Sequence, residues 1–240
     1  MQVKIFEDHP ELSATVAREI QELVQAKPNT ILCMASGETP RLTCQLLVQM
    51  IRSGKTDFSQ LHFIGLDEWV GIEPGNSGSC HYFFQHELIT PLGLREDQVH
   101  LFDGMSTDLQ AECKKMDETI DRLGGIDLIV AGIGMNGHIG FNEPGISPDL
   151  YSHVAQLDET TLTVGQKYFD SPTRLQEGIT LGLKHLLNAR KAILIANGKK
   201  KAEVIRSAVR ETVSNHLPAT IMQTHSNGFI MVDKEAASLL

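Results

Sequence analysis

Short apolar runs alternate along this chain with longer stretches whose apolar positions recur every three to four residues. The runs at residues 3–6, 30–34, 61–66, 99–102, 126–131, 191–196 and 229–232 have the length and side chains of strands. Between them, residues 10–25 place Leu12, Val16, Ile20 and Val24 on one helical face. Helices are also predicted over 40–51, with Pro40 near the first turn, and over 79–89, 109–123 and 200–209. A looser Gly/Pro/Ser-bearing stretch, 71–78, leads into the helix at 79.

Strands separated by helices of this length imply parallel crossovers, with helices on both faces of one sheet. The expected fold is therefore α/β: a single Rossmann-like domain over residues 1–240 with a mostly parallel sheet. One segment, 145–174, breaks the alternation. It is polar, carries Pro148 and Pro172, and reads either as a mobile lid or as an ordinary surface excursion.

Composition narrows the class of function. The 240 residues are 41% apolar and 21% charged, as in a soluble globular protein. A formal charge of -9 with no broad basic stripe argues against a nucleic-acid partner. The first residues, Met1 to Asp8, lack the apolar core of a signal peptide, and no run approaches the length of a membrane span. Cys33, Cys44, Cys80 and Cys113 form no Cys-x-x-Cys pair, which fits a reduced, cytoplasmic setting. Whether the chain is a monomer or a homo-oligomer is left open.

The chemistry concentrates where predicted strands end. After the strand at 126–131 comes Gly134-Met135-Asn136-Gly137-His138-Ile139-Gly140-Phe141-Asn142-Glu143-Pro144. It combines backbone freedom at its glycines with an imidazole, a carboxylate and two amides, groups that are costly to bury unpaired. The carboxyl ends of strands are where open α/β sheets bind ligands, so this loop is read as an active site. A second turn, Ser36-Gly37-Glu38-Thr39-Pro40, opens a helix and offers free N–H groups to an anion. It is neither a Walker loop nor a dinucleotide fingerprint.

Asp67-Glu68-Trp69 ends the strand at 61–66, and only one of two adjacent carboxylates is expected to face a pocket. Apolar cover from Trp69 would raise the pKa of that carboxylate towards base chemistry. The basic turn Gly198-Lys199-Lys200-Lys201 follows a fourth strand and can present a lysine to the same crevice. His138, Glu143, Asp67 and Glu68 are conceivable metal ligands, but no His-Glu-x-x-His or tight His/Cys spacing supports a metal.

Taken together and in this order, these clusters resemble the glucosamine-6-phosphate deaminase/isomerase family, within the group that includes 6-phosphogluconolactonases. The resemblance covers essentially the whole chain, and Gly137-His138-Ile139-Gly140-Phe141-Asn142-Glu143-Pro144 is its most specific part. Lactonases of the group share the Gly-His element without the Phe-Asn-Glu-Pro continuation, which favours the deaminase branch.

The resemblance implies conversion of glucosamine 6-phosphate and water to fructose 6-phosphate and ammonia, with no metal or organic cofactor. By the same resemblance, Asp67 shuttles a proton between C2 and C1 of the opened sugar. His138 opens the ring, and Glu143 orients its imidazole. Ser36, Gly37, Thr39, Lys167 and Lys201 hold the phosphate.

Three positions depart from the family pattern. Asn136 stands where some members carry an Asp of the ring-opening relay, so its part there is left open. Glu38 replaces a common glycine and must point away from a phosphate. Lys167 stands where many members carry Arg and loses the bidentate fork. The end at Leu240 implies the lack of a longer tail found in allosterically regulated members. Rival readings are a galactosamine-6-phosphate deaminase/isomerase, suggested by Leu66 to Val70 and Gly178 to Leu183, a 6-phosphogluconolactonase, and a silent sugar-phosphate sensor.

Overall fold

The inner strands of the main sheet present one row of side chains to each of two helical layers. The computed structural model describes residues 1–54 and 56–240. The strands are β1 (Gln2–Phe6), β2 (Ile31–Met34), β3 (His62–Gly65), β4 (Asp67–Trp69), β5 (Val99–His100), β6 (Leu128–Gly132), β7 (His153–Gln156), β8 (Glu177–Thr180), β9 (Lys191–Ala196) and β10 (Gly228–Asp233). Seven form a sheet in the order β1-β10-β9-β6-β2-β3-β5, with every pairing parallel.

The helices are α1 (His9–Ala26), α2 (Glu38–Arg52), α3 (Cys80–Phe84), α4 (Thr90–Leu92), α5 (Leu109–Leu123), α6 (Glu159–Gly165), α7 (Leu183–Asn188) and α8 (Ala202–Arg210). Leu32 and Met34 of β2 join one core with Leu12, Val16 and Ile20 of α1 and Leu47 of α2. Ile31 and Cys33, half a pleat away, join the opposite core with Cys113, Met116 and Ile120 of α5. Strands buried on both faces explain why they read as unbroken apolar runs. The α/β reading is thus observed, with α1 and α2 on one face and α5, α7 and α8 on the other.

The topology places the site. The β2–α2–β3 connection runs towards one edge of the sheet, whereas the chain leaving β6 returns as β9 on the opposite side. The carboxyl ends of β2 and β6 therefore flank a switch point, the usual crevice for a ligand in such sheets.

A second sheet, in the order β4-β8-β7, is antiparallel and was not foreseen. Its middle strand, Glu177-Gly178-Ile179-Thr180, carries one large apolar residue and a glycine, too little signal for a strand. Gly178 is needed by packing, since a Cβ there would lie 2.2 Å from the Phe141 ring. Helix α7 was also unforeseen.

The helix predicted over 79–89 is instead α3, a π-helical turn at Gln85–Ile89 and then α4. Pro91 lacks an N–H, and its ring crowds the preceding turn, so the widened turn accommodates it. The strand predicted over 99–102 is paired only at Val99 and His100, because β3, its one neighbour, ends at Gly65. The segment 145–174 holds β7, α6 and a 3₁₀ turn at Gln166–Tyr168. Among the described residues, no helix is long and apolar enough to cross a membrane. All four cysteines are free and buried.

Candidate active site

A cavity of about 380 Å³ opens at the carboxyl ends of the central strands. Its walls carry Ser36, Gly37 and Thr39 from the turn after β2, Asp67 from the start of β4, and His138 from the loop after β6. Lys201 reaches it from the turn after β9, and Lys167 from the 3₁₀ turn that follows α6. Residues from five separate stretches of sequence thus share one cavity.

The glycine-rich loop holds its imidazole from several sides. The Gly134 N–H donates to the His138 carbonyl at 2.9 Å, which folds the loop back on itself. Glu143 Oε2 lies 3.3 Å from His138 Nδ1, and Thr161 Oγ1 of α6 lies 2.9 Å from the same nitrogen. Asn136 Nδ2 donates to Glu143 Oε2 at 2.9 Å and to Asp158 Oδ1 at 3.2 Å, while its Oδ1 accepts from the His138 N–H at 3.2 Å. Burial alone would raise the pKa of Glu143. The bonds and charge of His138, with those of Thr161 and Asn136, outweigh it and hold the carboxyl below its usual range. An ionised Glu143 favours the tautomer that carries its proton on Nδ1, leaving Nε2 as the reactive nitrogen.

Asp67 and Glu68 are adjacent, yet their surroundings differ. Glu68 turns away from the cavity and accepts from the N–H groups of Trp69 (2.8 Å), Cys80 (3.0 Å) and His81 (2.8 Å) and from the Ser79 hydroxyl (3.0 Å). It thereby anchors the start of α3. Asp67 faces the cavity and accepts from the Cys80 thiol at 3.7 Å. Burial, reinforced by the Glu68 charge, pushes the Asp67 carboxyl up to about 7. A carboxyl tuned there can take and return a proton near neutral pH.

The opposite end of the cavity suits an anion. Gly37 has φ +111°, a conformation that L side chains rarely adopt, and it turns the chain into the N-terminus of α2. Thr39 Oγ1 donates to Asn197 Oδ1 at 2.8 Å, tying this turn to the loop after β9. Lys201 donates to the Ile133 carbonyl, and burial with the nearby Lys167 lowers its ammonium to about 8. A bound anion would relieve that repulsion. Glu38 stays at the wall of the cavity rather than outside it, and its carboxylate is paired there with Arg41 at 3.0 Å.

The chain as a whole is similar to known proteins. The family model described as glucosamine-6-phosphate isomerases/6-phosphogluconolactonase matches residues 8–231. The chain belongs to this family. Among the relatives, a glucosamine-6-phosphate deaminase of Halothermothrix orenii is 39% identical over 241 residues, covering 100% of both chains. One from Thermoanaerobacter sp. (strain X514) is 38% identical over 241 residues, covering 100% of this chain and 95% of the relative. A solved structure of a monomeric glucosamine-6-phosphate deaminase superposes with a TM-score of 0.97 at 32% identity, with full coverage of both chains. A 6-phosphogluconolactonase from Trypanosoma brucei, at 20% identity and a TM-score of 0.77, shares the fold.

Within this isomerase/lactonase family member, Asp67, His138, Ser36, Gly37, Thr39, Lys167 and Lys201 all line the one cavity, with Glu143 and Asn136 directly behind His138. Thr161, Cys80, Tyr168 and Asp158 also stand at the site but were missed by the sequence reading. Thr161 and Tyr168 come from 145–174, which carried no motif to mark them. Cys80 had one available signal: it begins a helix just after a Ser cap, at the edge of the loop that follows Asp67-Glu68.

Proposed function

We propose that this chain is a glucosamine-6-phosphate deaminase, converting D-glucosamine 6-phosphate and water to D-fructose 6-phosphate and ammonia. The observation that carries this reading is that Asp67, raised to about 7, opens into the same cavity as a His138 backed by an ionised Glu143.

Ser36, the N–H groups at the start of α2, Lys201 and Lys167 bind the phosphate. That remote binding energy positions the reacting carbons. His138 Nε2 takes the proton of the anomeric hydroxyl and delivers it to the ring oxygen, and Glu143 balances the imidazolium that forms in between. Asp67 then removes the proton from C2 while the substrate's own C2 ammonium gives up a proton to the C1 carbonyl oxygen, which leaves a neutral enolamine. Return of the proton to C1 leaves an imine at C2. Water adds to this carbon, and ammonia departs. Asn136 orients Glu143 and takes no proton itself, because an amide has no usable pKa in this range. The segment 145–174 roofs the cavity through Thr161, Lys167 and Tyr168 and serves as its lid. A phosphorylated sugar substrate and four unpaired thiols support a cytoplasmic setting.

The test is ammonia release with glucosamine 6-phosphate and galactosamine 6-phosphate in parallel. Turnover of the gluco sugar is expected to dominate. Equal or faster turnover of the galacto sugar would overturn the choice of substrate. Substituting Glu143→Gln should lower deaminase turnover by roughly 100-fold or more, whereas a lactonase would keep most of its activity.

A further inference from the structure

Three hydrogen bonds tie the first turn of α6 to the imidazole and carboxylate of the site. Asp158 caps α6 by accepting from the Thr160 N–H at 2.9 Å. The same Oδ1 receives the Asn136 amide, which also binds Glu143. One helical step further on, Thr161 is buried to 4% exposure with its hydroxyl 2.9 Å from His138 Nδ1. That bond is shorter than the 3.3 Å separating Nδ1 from Glu143.

We propose that Thr161 is a positioning residue for His138, closing a triangle of hydrogen bonds with Glu143 that fixes the tautomer and angle of the imidazole. Nδ1–H donates to both the hydroxyl and the carboxylate, and the hydroxyl in turn donates a hydrogen bond to Glu143, whose carboxyl is held down in part by Thr161. Every donor then has an acceptor in one arrangement only, with Nε2 left bare towards the cavity. Gly134 supports the ring from one side, and Glu143, at 3.3 Å, holds Nδ1 less closely than the Thr161 hydroxyl does. Because Thr161 rides on α6, the setting of the ring depends on the packing of this helix against the cavity.

This inference rests on the proposed role of His138, and its test separates the two. Thr161→Val keeps the shape of the side chain and removes the hydroxyl; Thr161→Ser keeps the hydroxyl. NMR of ¹⁵N-histidine-labelled resting enzyme reads the tautomer and titration of His138 without any substrate, with the signal assigned through His138→Gln. Thr161→Val is expected to move both, and to lower kcat about 10-fold with KM within about twofold, the scale of one lost hydrogen bond. Thr161→Ser should retain the parental values. Unchanged His138 signals in Thr161→Val would overturn the proposal, as would an equal loss of kcat in Thr161→Ser. If the parent turned over no amino-sugar phosphate, the reaction reading would fall and the NMR arm would still decide the positioning role. Thr161→Ala, which removes the same hydroxyl from a helix, supplies the measurement should the valine variant fail to fold.

Discussion

The His138 ring lies across Gly134 so closely that a Cβ at that position would sit 2.4 Å from its Nε2 and Cδ2. The glycine is therefore the floor on which the imidazole rests. Gly134→Ala should push the ring from its place while leaving the sheet intact. Misplacing a catalytic group by about 1 Å costs on the order of 100-fold, and kcat is expected to fall by about that much. Overpacking should cost roughly 1–3 kcal/mol of stability, read from urea unfolding. A parental kcat in this variant would show that the contact does not hold the ring.

The dependence of kcat/KM on pH should be bell-shaped. Asp67 must be ionised to act as a base, so the acid limb is expected near its pKa of about 7 in the free enzyme. Lys201 must be protonated to bind phosphate, so the alkaline limb is expected near about 8. Lys201→Met should raise KM by about 10-fold or more and remove the alkaline limb while leaving the acid limb in place. An alkaline limb that survives in this variant would assign it to another group.

Asp67 should weaken the fold it serves. Its folded pKa, about 7, lies above the ordinary 3.8. Below about pH 4 both states hold the proton, and the group makes no difference. Between there and about pH 7 the folded state keeps a proton that the unfolded state has lost, so this contribution declines as pH rises. Above about 7 the full penalty, on the order of 4 kcal/mol, is reached. Asp67→Asn should therefore be inactive yet more stable than the parent at pH 8, with the gap shrinking towards pH 4. Thermal melts across this range would show it; a gap independent of pH would refute the cause.

Glu68 should matter to stability rather than chemistry. Glu68→Ala strands the N–H groups of Trp69, Cys80 and His81 and the hydroxyl of Ser79, all satisfied by that one carboxylate. The expected loss is at least about 3 kcal/mol, measured as a lower urea midpoint with an unchanged m-value. A drop below about 1 kcal/mol would mean that water replaces the carboxylate.

Much of the architecture could be read before any coordinates. The apolar runs at 30–34, 126–131 and 191–196 are observed as β2, β6 and β9, because a strand buried on both faces writes its burial directly into its residues. β4, β7 and β8 escaped notice for the converse reason. They are short, mixed in character, and stabilised by partners up to 113 positions away, as in the pairing of Asp67 with Thr180. The unforeseen π turn before Pro91 lies between these cases, since proline was visible but the backbone's answer to it was not.

The candidate site divides in the same way. The sequence by itself determined which loops leave the strand ends and which imidazole, carboxylates and lysines they carry, since these are local properties of composition and spacing. Only the tertiary structure decided that Asp67, rather than Glu68, faces the cavity, that burial raises the Asp67 carboxyl to about 7, and that Thr161, 23 positions from His138, completes the hold on its ring. Desolvation and hydrogen bonding act over a few ångströms of space, and segments distant in sequence meet at that range only after the core has packed.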